Sequence, residues 1–336
     1  MKRYAVVLAA GKGTRMQSVD PNHSKVADPI LGKPIINYVL DALKPHHFEK
    51  TTVVVGFGGE ATTKLVEKEA DVVWQKDLLG TGHAVQQTEK LLKNLDGETL
   101  IIYGDTPLVS SETIEEILKI HEKEDNDLTV VSAVLSTPKG YGRLLRDPKS
   151  YQLLAIREET DCSPFELDIN EVNTGICVFN NKMLFKYINK LDNNNTRKLF
   201  YLSQLVDLFV KDGLKVGSYV VEDMVEMFGI NDRIQLSYAA KVMRKRINHR
   251  LMLSGVSMED PDSTYISPDV VLGKDTVIYP NTTITGKTVV GTGNLIGPNT
   301  VIEDSVIGNN NTIKCQYMGK AKIGNNKVII ENVIGK

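Results

Sequence analysis

Cysteine is scarce in this chain of 336 residues, and the three that occur, Cys162, Cys177 and Cys315, lie far apart. An odd number of widely spaced cysteines argues against a disulfide framework or a zinc cluster and is typical of free, buried thiols in a reducing compartment. Long apolar runs are also missing, since none is as long as the roughly eighteen residues that a membrane-spanning helix needs. The start, Met1 to Tyr4, leads into a strand-like run without a small-residue cleavage site. These absences predict a cytoplasmic protein with no membrane partner.

Neither sign of charge is in excess, because 40 basic residues stand against 42 acidic ones and the formal net charge is -2. No long block carries one sign, which argues against a nucleic-acid-binding arm and against a membrane-surface patch. With 41% hydrophobic and 24% charged residues, the composition is that of an ordinary globular protein with a sizeable core. The expected partners are therefore small molecules or further copies of the chain.

Short apolar runs alternate with helical patterns through the first two thirds of the sequence. The predicted strands are residues 5–9, 52–55 and 100–103, and the predicted helices between them are 35–43 and 62–68. Strands separated by helices are typical of βαβ units, so we expect an α/β domain on a mostly parallel sheet.

A single long helix is predicted for residues 232–253. Leu236, Ala240, Met243, Ile247 and Leu251 recur at intervals of three or four, and a glycine follows the last of them closely. This helix is expected to join two domains.

Beyond the helix, aliphatic residues fall at six-residue intervals. The positions in register are Ile266, Leu272, Ile278, Ile284, Val290, Ile296 and Ile302. Ile307 and Ile313 continue the series after a slip of one residue, and Ile323 and Ile329 are less regular. Hexapeptide periodicity is the signature of a β-helix whose aliphatic side chains point inward. The predicted domains are residues 1–232, a linker helix at 233–254, and a β-helix at 255–336.

The opening segment "VVLAAGKGTRM" ends a strand in a glycine-rich turn. It is not a dinucleotide fingerprint, because Met16 stands where the third glycine is needed, and it lacks the second glycine of a Walker-type loop. What remains is a turn that lets backbone amides approach a ligand, with Lys12, Arg15 and Lys25 supplying positive charge for several phosphates.

Two further segments carry polar groups at strand ends. In "LLGTGHA", residues 78–84, glycines again bring the backbone close to a ligand, and the nearby Gln75 offers an amide that can read a base edge. In "IIYGDTPL", Asp105 follows a buried strand, at the sheet edge where open α/β sheets bind ligands. Alone, such an aspartate is more often a helix cap, but the neighbouring motifs favour a ligand-binding role.

Seven segments occur in a fixed order along the chain: "LAAGKGTRM", "LGKPI" after Lys25, "LGTGHA", "YGDTPL", "GYGR", "EVNTGI" and "GINDR". With them, essentially the whole chain resembles the bacterial N-acetylglucosamine-1-phosphate uridyltransferases. The resemblance implies a Rossmann-like nucleotide-diphospho-sugar transferase domain, a helical arm and a left-handed parallel β-helix. It also implies transfer of a uridylyl group from UTP to N-acetyl-α-D-glucosamine 1-phosphate, giving UDP-N-acetylglucosamine and pyrophosphate without a covalent enzyme intermediate.

The same resemblance implies roles for individual residues. Arg15 and Lys25 correspond to catalytic contacts of the triphosphate, and Asp105 and Asn231 to ligands of Mg²⁺. Gly140, Glu158 and Asn173 are implied at the amino sugar, and His83 in a structural role, because the incoming phosphate is already anionic. The uridine end and the middle of the cleft are implied to be formed by Leu8, Ala9, Ala10, Gly11, Gln75, Gly80, Thr81, Tyr103 and Gly104.

The sequence departs from this family at several places. The stretch "QSVDPNHS" between Met16 and Lys25 is longer than the common spacing, Thr160 stands at an expected lysine, and "NNNTRKLFYLSQL" replaces a glycine-, glutamate- and tyrosine-rich run. The last two changes are expected near the sugar. The alternatives are therefore a transferase for another hexose 1-phosphate and a catalytically silent scaffold, although the presence of Arg15, Lys25, Asp105 and Asn231 argues against the scaffold.

The β-helix carries two more expectations. β-helices of this kind have flat, partly apolar faces and close as rings of three, so we expect a homotrimer. Relatives with this architecture use a histidine near the far end of a longer β-helix to acetylate glucosamine 1-phosphate. All six histidines of this chain precede residue 255, and we expect uridylyl transfer without acetyl transfer.

Overall fold

The computed structural model describes residues 1–20 and 22–330, and the chain forms two compact units. The first comprises Met1–Asp28 and Ile35–Arg233, and the second comprises Pro29–Pro34 and Ile234–Lys336. This division differs from the predicted boundaries, because the short segment 29–34 belongs to the second unit. The last six residues of the predicted β-helix, 331–336, lie outside the described residues.

Strands and helices alternate along the chain up to residue 220. The strands up to residue 220 are β1 (Arg3–Ala9), β2 (Pro29–Ile30) and β3 (Lys33–Pro34), both in the second unit, β4 (Lys50–Val55), β5 (Asp71–Trp74), β6 (Glu98–Tyr103), β7 (Leu128–Val134), β8 (Arg143–Arg146), β9 (Leu153–Arg157), β10 (Glu171–Asn180) and β11 (Val216–Val220). The helices are α1 (Ile35–Leu43), α2 (Gly59–Val66), α3 (Thr81–Gln86), α4 (Glu89–Leu92), α5 (Ser111–Glu124), α6 (Pro164–Leu167), α7 (Asn181–Tyr187) and α8 (Gln204–Lys211).

The main sheet has the order β11-β7-β10-β6-β1-β4-β5. β1 is parallel to β4 and β6, β5 is parallel to β4, and β11 is parallel to β7. The sheet departs from the predicted parallel arrangement at β10, which runs antiparallel to β6 and β7, and at β8, which is antiparallel to β10 and β9. Because β1, β4 and β6 run in the same direction, the segments that follow Ala9, Val55 and Tyr103 all begin at one edge of the sheet.

The sheet is covered on both faces, which explains the continuous apolar run of β1. Tyr4, Val6 and Leu8 belong to one buried cluster, which includes residues of α3, α7 and α8. Ala5, Val7 and Ala9 alternate with them in a second cluster, which includes residues of α1 and α5. This three-layer arrangement is what a doubly covered α/β sheet requires.

The long helix α9 (Arg233–Leu253) lies close to its predicted limits, and from Ile234 onward it belongs to the second unit. Met243, Ile247 and Leu251 are buried, and the buried amide of Asn248 donates to the carbonyl oxygens of Pro261 and Thr264. No helix in the described part of the chain is both long and apolar enough to cross a bilayer.

Short strands then wind into a left-handed parallel β-helix of hexapeptide repeats. The strands are β12 (Ser257–Met258), β13 (Tyr265–Ile266), β14 (Val271–Leu272), β15 (Val277–Ile278), β16 (Thr283–Thr285), β17 (Val289–Val290), β18 (Leu295–Ile296), β19 (Val301–Glu303), β20 (Val306–Ile307), β21 (Thr312–Lys314), β22 (Tyr317–Gly319), β23 (Lys322–Ile323) and β24 (Val328–Ile330). They stack into three parallel sheets, and every aliphatic residue of the predicted hexapeptide series from 266 to 302 is buried.

The coils become shorter along the β-helix. Ile284 pairs with Ile302, eighteen positions later, but Ile302 pairs with Met318, sixteen positions later. Met318 is buried and takes the inward place that the six-residue series does not predict. The slip at Ile307 is thus the first sign of this shortening.

Candidate active site

An open cleft of about 610 Å³ lies at the carboxyl edge of the main sheet. It begins where β1 ends at Ala9, where β6 ends at Tyr103, and where Gln75 follows β5. The predicted site residues that line it are Leu8, Ala9, Ala10, Gly11, Lys25, Gln75, Gly80, Thr81, Tyr103, Asp105 and Asn231. The residues that the resemblance assigns to the nucleotide and to the metal therefore line one cleft together with Lys25.

Three of these residues converge on a single point. The Lys25 ammonium donates to Oδ2 of Asp105 and, at 2.9 Å, to Oδ1 of Asn231. The side chain of Lys25 is only 11% exposed and that of Asp105 only 15% exposed, so water screens this charge pair weakly. The backbone helps to hold the group together, because the amide of Ile230 donates to the carbonyl oxygen of Asp105 at 2.9 Å.

The oxygens of Asp105 and Asn231 suit a hard divalent cation. Both reach one positively charged nitrogen, so they can reach one metal ion, and carboxylate and amide oxygens are suitable Mg²⁺ ligands. Among the described residues there is no cluster of three or more histidine, cysteine or acidic side chains that could hold a metal. A cation here would complete its shell with substrate phosphates and water.

Gln75 lies in the cleft with its amide nitrogen already committed. Nε2 lies 2.9 Å from the carbonyl oxygen of Gly80 and 3.0 Å from Nδ1 of His83. A carbonyl oxygen can only accept, which fixes the orientation of the amide and leaves its oxygen as the group free to face a ligand. This contact with His83 holds the Gln75 amide in its orientation.

The glycine-rich segment at Gly80 packs against a distant part of the chain. The amide of Phe200 donates to Leu79 O, and the amide of Gly82 donates to Phe200 O, both at 2.8 Å. Gly80 has φ +110°, and a Cβ there would lie 2.5 Å from the carbonyl oxygen of Phe200. Only glycine fits such a close approach of two backbones.

A second, smaller cavity of about 40 Å³ adjoins the cleft and shares Thr81 and Tyr103 with it. Glu158 and Asn173, both assigned to the amino sugar, line this cavity together with Ser203. Ser203 donates to Oε1 of Glu158 at 2.7 Å, and burial raises the pKa of this carboxyl group above its ordinary value. We call this cavity the Glu158 pocket.

An irregularity in β10 shapes the Glu158 pocket. The register of β10 against β7 shifts between Asn173 and Cys177, and Gly175 in this bulge has φ +82°. A Cβ on Gly175 would lie 2.2 Å from the ring of Tyr103. The bulge therefore gives Tyr103 its place between the two cavities, where burial raises the pKa of its hydroxyl group.

Three predicted site residues line neither cavity. Arg15 is exposed on a 3₁₀ turn, Thr14–Met16, in the segment that follows β1. Gly104 is buried beside the end of β1, where its amide donates to Leu8 O at 2.9 Å. The amide of Gly140 donates to the Glu159 carboxylate at 2.7 Å.

Three residues that line the two cavities were not identified from the sequence. They are Arg197, Leu199 and Ser203, and all lie in the stretch that departs from the family pattern.

Comparison with known proteins finds relatives for most of the chain. Residues 5–162 match the family model of the MobA-like NTP transferase domain. Proteins with that nucleotidyltransferase domain generally use a divalent metal ion. Over longer stretches, the chain is similar to proteins named Bifunctional protein GlmU from several bacteria.

These similarities cover nearly the whole chain. It is 43% identical over 324 residues to the protein of an Exiguobacterium species, which covers 96% of this chain and 71% of that protein. The identity is 42% over 332 residues for Lactobacillus johnsonii, with 99% and 71% covered, and 41% over 329 residues for a Geobacillus species, with 98% and 71% covered. The chain therefore belongs to the GlmU family and is a nucleotidyltransferase.

Proposed function

We propose that this protein is a UDP-N-acetylglucosamine pyrophosphorylase, which joins UTP and N-acetyl-α-D-glucosamine 1-phosphate and releases pyrophosphate. The observation that carries the proposal is the placement of Lys25, Asp105 and Asn231 in a cleft that shares Thr81 and Tyr103 with a pocket containing Glu158. A polyphosphate and a sugar can thus bind side by side. Direct transfer between two bound substrates needs such an arrangement.

The base end of the nucleotide is assigned to Gln75. Its amide oxygen is an acceptor, and uracil presents an N–H donor at the ring position where cytosine presents an acceptor. His83 and Gly80 keep the amide from rotating. We therefore expect UTP to be preferred over CTP.

The phosphates are assigned to the basic side of the cleft. Lys12 and Lys25 both line it, and Arg15 is assigned to the triphosphate on the basis of the resemblance alone. Asp105 and Asn231 would hold Mg²⁺, which, when bound, neutralises negative charge on the phosphates. Because an ammonium group and a metal ion cannot occupy one point, Lys25 would have to leave these two oxygens for the phosphates if Mg²⁺ bound there.

The sugar is assigned to Glu158, Asn173 and Gly140. The Ser203 hydroxyl holds one oxygen of Glu158, which leaves the other as an acceptor for a sugar hydroxyl. Cys177 also lines the pocket, but burial raises the pKa of its thiol, so it stays protonated and is no nucleophile. The attacking group is then the sugar phosphate itself.

The β-helix is assigned to assembly. Val271, Val289 and Val306 form one exposed column along the sheet β14-β17-β20, and we propose that this face lies between the copies of a homotrimer. Residues 255–336 contain no histidine to take a proton from an amine, so no base for acetyl transfer is assigned among them.

Pyrophosphate release tests the proposal directly. The purified protein is incubated with Mg²⁺, with UTP or CTP, and with N-acetylglucosamine 1-phosphate or glucose 1-phosphate. The proposal expects the highest kcat/KM for UTP with the acetamido sugar. A higher kcat/KM for glucose 1-phosphate would replace the sugar assignment, and no release with any pair would refute the function.

A further inference from the structure

The loop of residues 195–200 is held firmly on both sides of Arg197. Before it, the side chain of Asn195 donates to Leu199 O at 2.6 Å and accepts from Leu199 N at 3.1 Å. Thr196 donates its backbone amide to the carboxylate of Asp161 at 3.0 Å. After it, Phe200 is joined to Leu79. The backbone that carries Arg197 is therefore fixed against two other segments of the first unit.

Arg197 lies in the cleft, on the side that approaches the Glu158 pocket. It lines the cleft, and its positive charge lowers the pKa of the Glu158 carboxyl group against the larger, opposite effect of burial. Lys12 and Lys25, the other basic residues of the cleft lining, belong to the segment that follows β1. The cleft thus has basic groups from two separate parts of the chain.

Two anions must meet in this site, and each needs its own countercharge. The segment after β1 supplies Lys12 and Lys25 for the triphosphate. A phosphate monoester on a sugar that contacts Glu158 would lie next to Arg197, whose planar guanidinium can donate two parallel hydrogen bonds to phosphate oxygens.

We propose, resting on the function proposed above, that Arg197 binds the phosphate of the acceptor sugar 1-phosphate. An oxygen of this phosphate forms the new bond to the α-phosphorus of UTP, while the bond from that phosphorus to the bridging oxygen breaks. The leaving pyrophosphate takes the electron pair. Arg197 transfers no proton, and its contribution is to hold one anion beside another and to reduce their repulsion.

The test compares Arg197→Ala with Lys198→Ala. Lys198 is the matched control, because it is the next residue in the same loop, carries the same charge and does not line the cleft. Arg197→Ala is expected to raise KM for the sugar phosphate by about tenfold or more and to leave KM for UTP within about twofold. Arg197→Lys is expected to restore part of the loss, and Lys198→Ala to behave like the wild type.

Calorimetric binding of the sugar phosphate, with a non-hydrolysable UTP analogue present, separates this proposal from the proposed function because it needs no turnover. Weaker binding by Arg197→Ala than by Lys198→Ala supports the assignment even if wild-type turnover is absent. An equal effect of the two substitutions, or a change confined to KM for UTP, overturns it. Thermal melting of each variant shows whether the fold is retained, and Arg197→Lys serves as the test variant if Arg197→Ala does not fold.

Discussion

At the scale of single residues, Lys25 and a metal ion compete for the same two oxygens. The ammonium group donates to both Asp105 and Asn231, and its side chain is nearly buried. A divalent ion that binds the free protein must first displace this charge. When a nucleotide is present, its phosphates offer the ammonium another anionic partner, so nucleotide and metal are expected to bind together.

We predict that Lys25→Met binds Mn²⁺ more tightly than the wild type does in the absence of nucleotide, by about tenfold or more, because the competing cation is gone. Electron paramagnetic resonance of free Mn²⁺ measures this affinity without turnover. Lys12→Met is the control, since Lys12 lines the same cleft without contacting Asp105. Equal affinities of Lys25→Met and the wild type would contradict the competition.

Asp105→Asn provides the opposite prediction at the same site. Removing the carboxylate charge weakens Mn²⁺ binding and lowers Mg²⁺-dependent turnover by on the order of a hundredfold or more, because the charge that fixes the metal is lost. Asp77→Asn is the control, an exposed carboxylate outside the cleft. Turnover near that of the wild type at ordinary Mg²⁺ would remove Asp105 from the metal site.

At the scale of elements, β6 begins with a buried carboxylate. Glu98 pairs in register with Arg3 of β1, but its Oε2 is buried without a hydrogen-bond partner among the described residues, and Arg3 Nε is 3.9 Å away. Burial, with the nearby charge of Glu122, raises the pKa of Glu98 to about 7. The native protein therefore holds a proton that the unfolded chain has lost between about pH 4.5 and pH 7.

This difference sets the sign of a pH effect on stability. Stability falls as the pH rises through this window, by up to about 3 kcal/mol, because the unfolded state binds fewer protons. We predict that Glu98→Gln, which removes the ionisation, melts higher than the wild type near about pH 8 and not near about pH 4. Glu49→Gln, at an exposed carboxylate, is the control. A melting difference that is the same at both pH values would contradict the shift.

The corners of the β-helix require left-handed backbone. Asparagine or aspartate fills many of the corners with positive φ, because their short polar side chains tolerate this region. Cys315, with φ +52°, is an exception, and Asn326 occupies a later corner with φ +58°.

We predict that Cys315→Asn raises the free energy of unfolding by about 0.5–1 kcal/mol. The reciprocal change Asn326→Cys is the matched control and is expected to lower it by a similar amount. Denaturant unfolding curves measure both. If Cys315→Asn left the midpoint unchanged while Asn326→Cys lowered it, the corner would not be strained.

The elements that sequence predicted well are those whose pattern is repeated locally. α1 begins and ends at the predicted residues, and the hexapeptide series predicts the inward side chains up to Ile302. Met318 was missed because the coil shortens at that point, and a fixed period cannot register it. The antiparallel direction of β10 was not predicted either, since strand direction depends on pairing between distant segments.

Dependence on contacts between distant segments also explains which site residues could not be predicted from the sequence. Asp105 could be predicted because it follows an apolar strand pattern, and Gly80 because it lies in a glycine-rich segment. Arg197 reaches the cleft only because Phe200 pairs with Leu79, a contact between loops that leaves no periodic pattern. Its placement therefore needed the structure.

At the scale of the whole molecule, the exposed column Val271, Val289 and Val306 predicts how copies assemble. We expect Val289→Glu to reduce the mass measured by light scattering from that of a trimer to that of a monomer, because a charge would be buried in an apolar face. Tyr317→Glu, at a strongly exposed residue of a different sheet of the β-helix, is the control and should stay trimeric. A monomeric wild type would contradict the trimer, and a monomeric Tyr317→Glu with a trimeric Val289→Glu would move the interface to the other face.

The bond between Lys25 and Asn231 joins residues 206 positions apart. During synthesis on the ribosome, the loop after β1 emerges long before Asn231, so a growing chain carries the glycine-rich loop for most of its synthesis without the other half of the cleft. A ligand stabilises only the states that bind it. UTP therefore cannot protect a partly made chain, and its protection against proteases begins only once the last residues of the first unit have left the ribosome and folded.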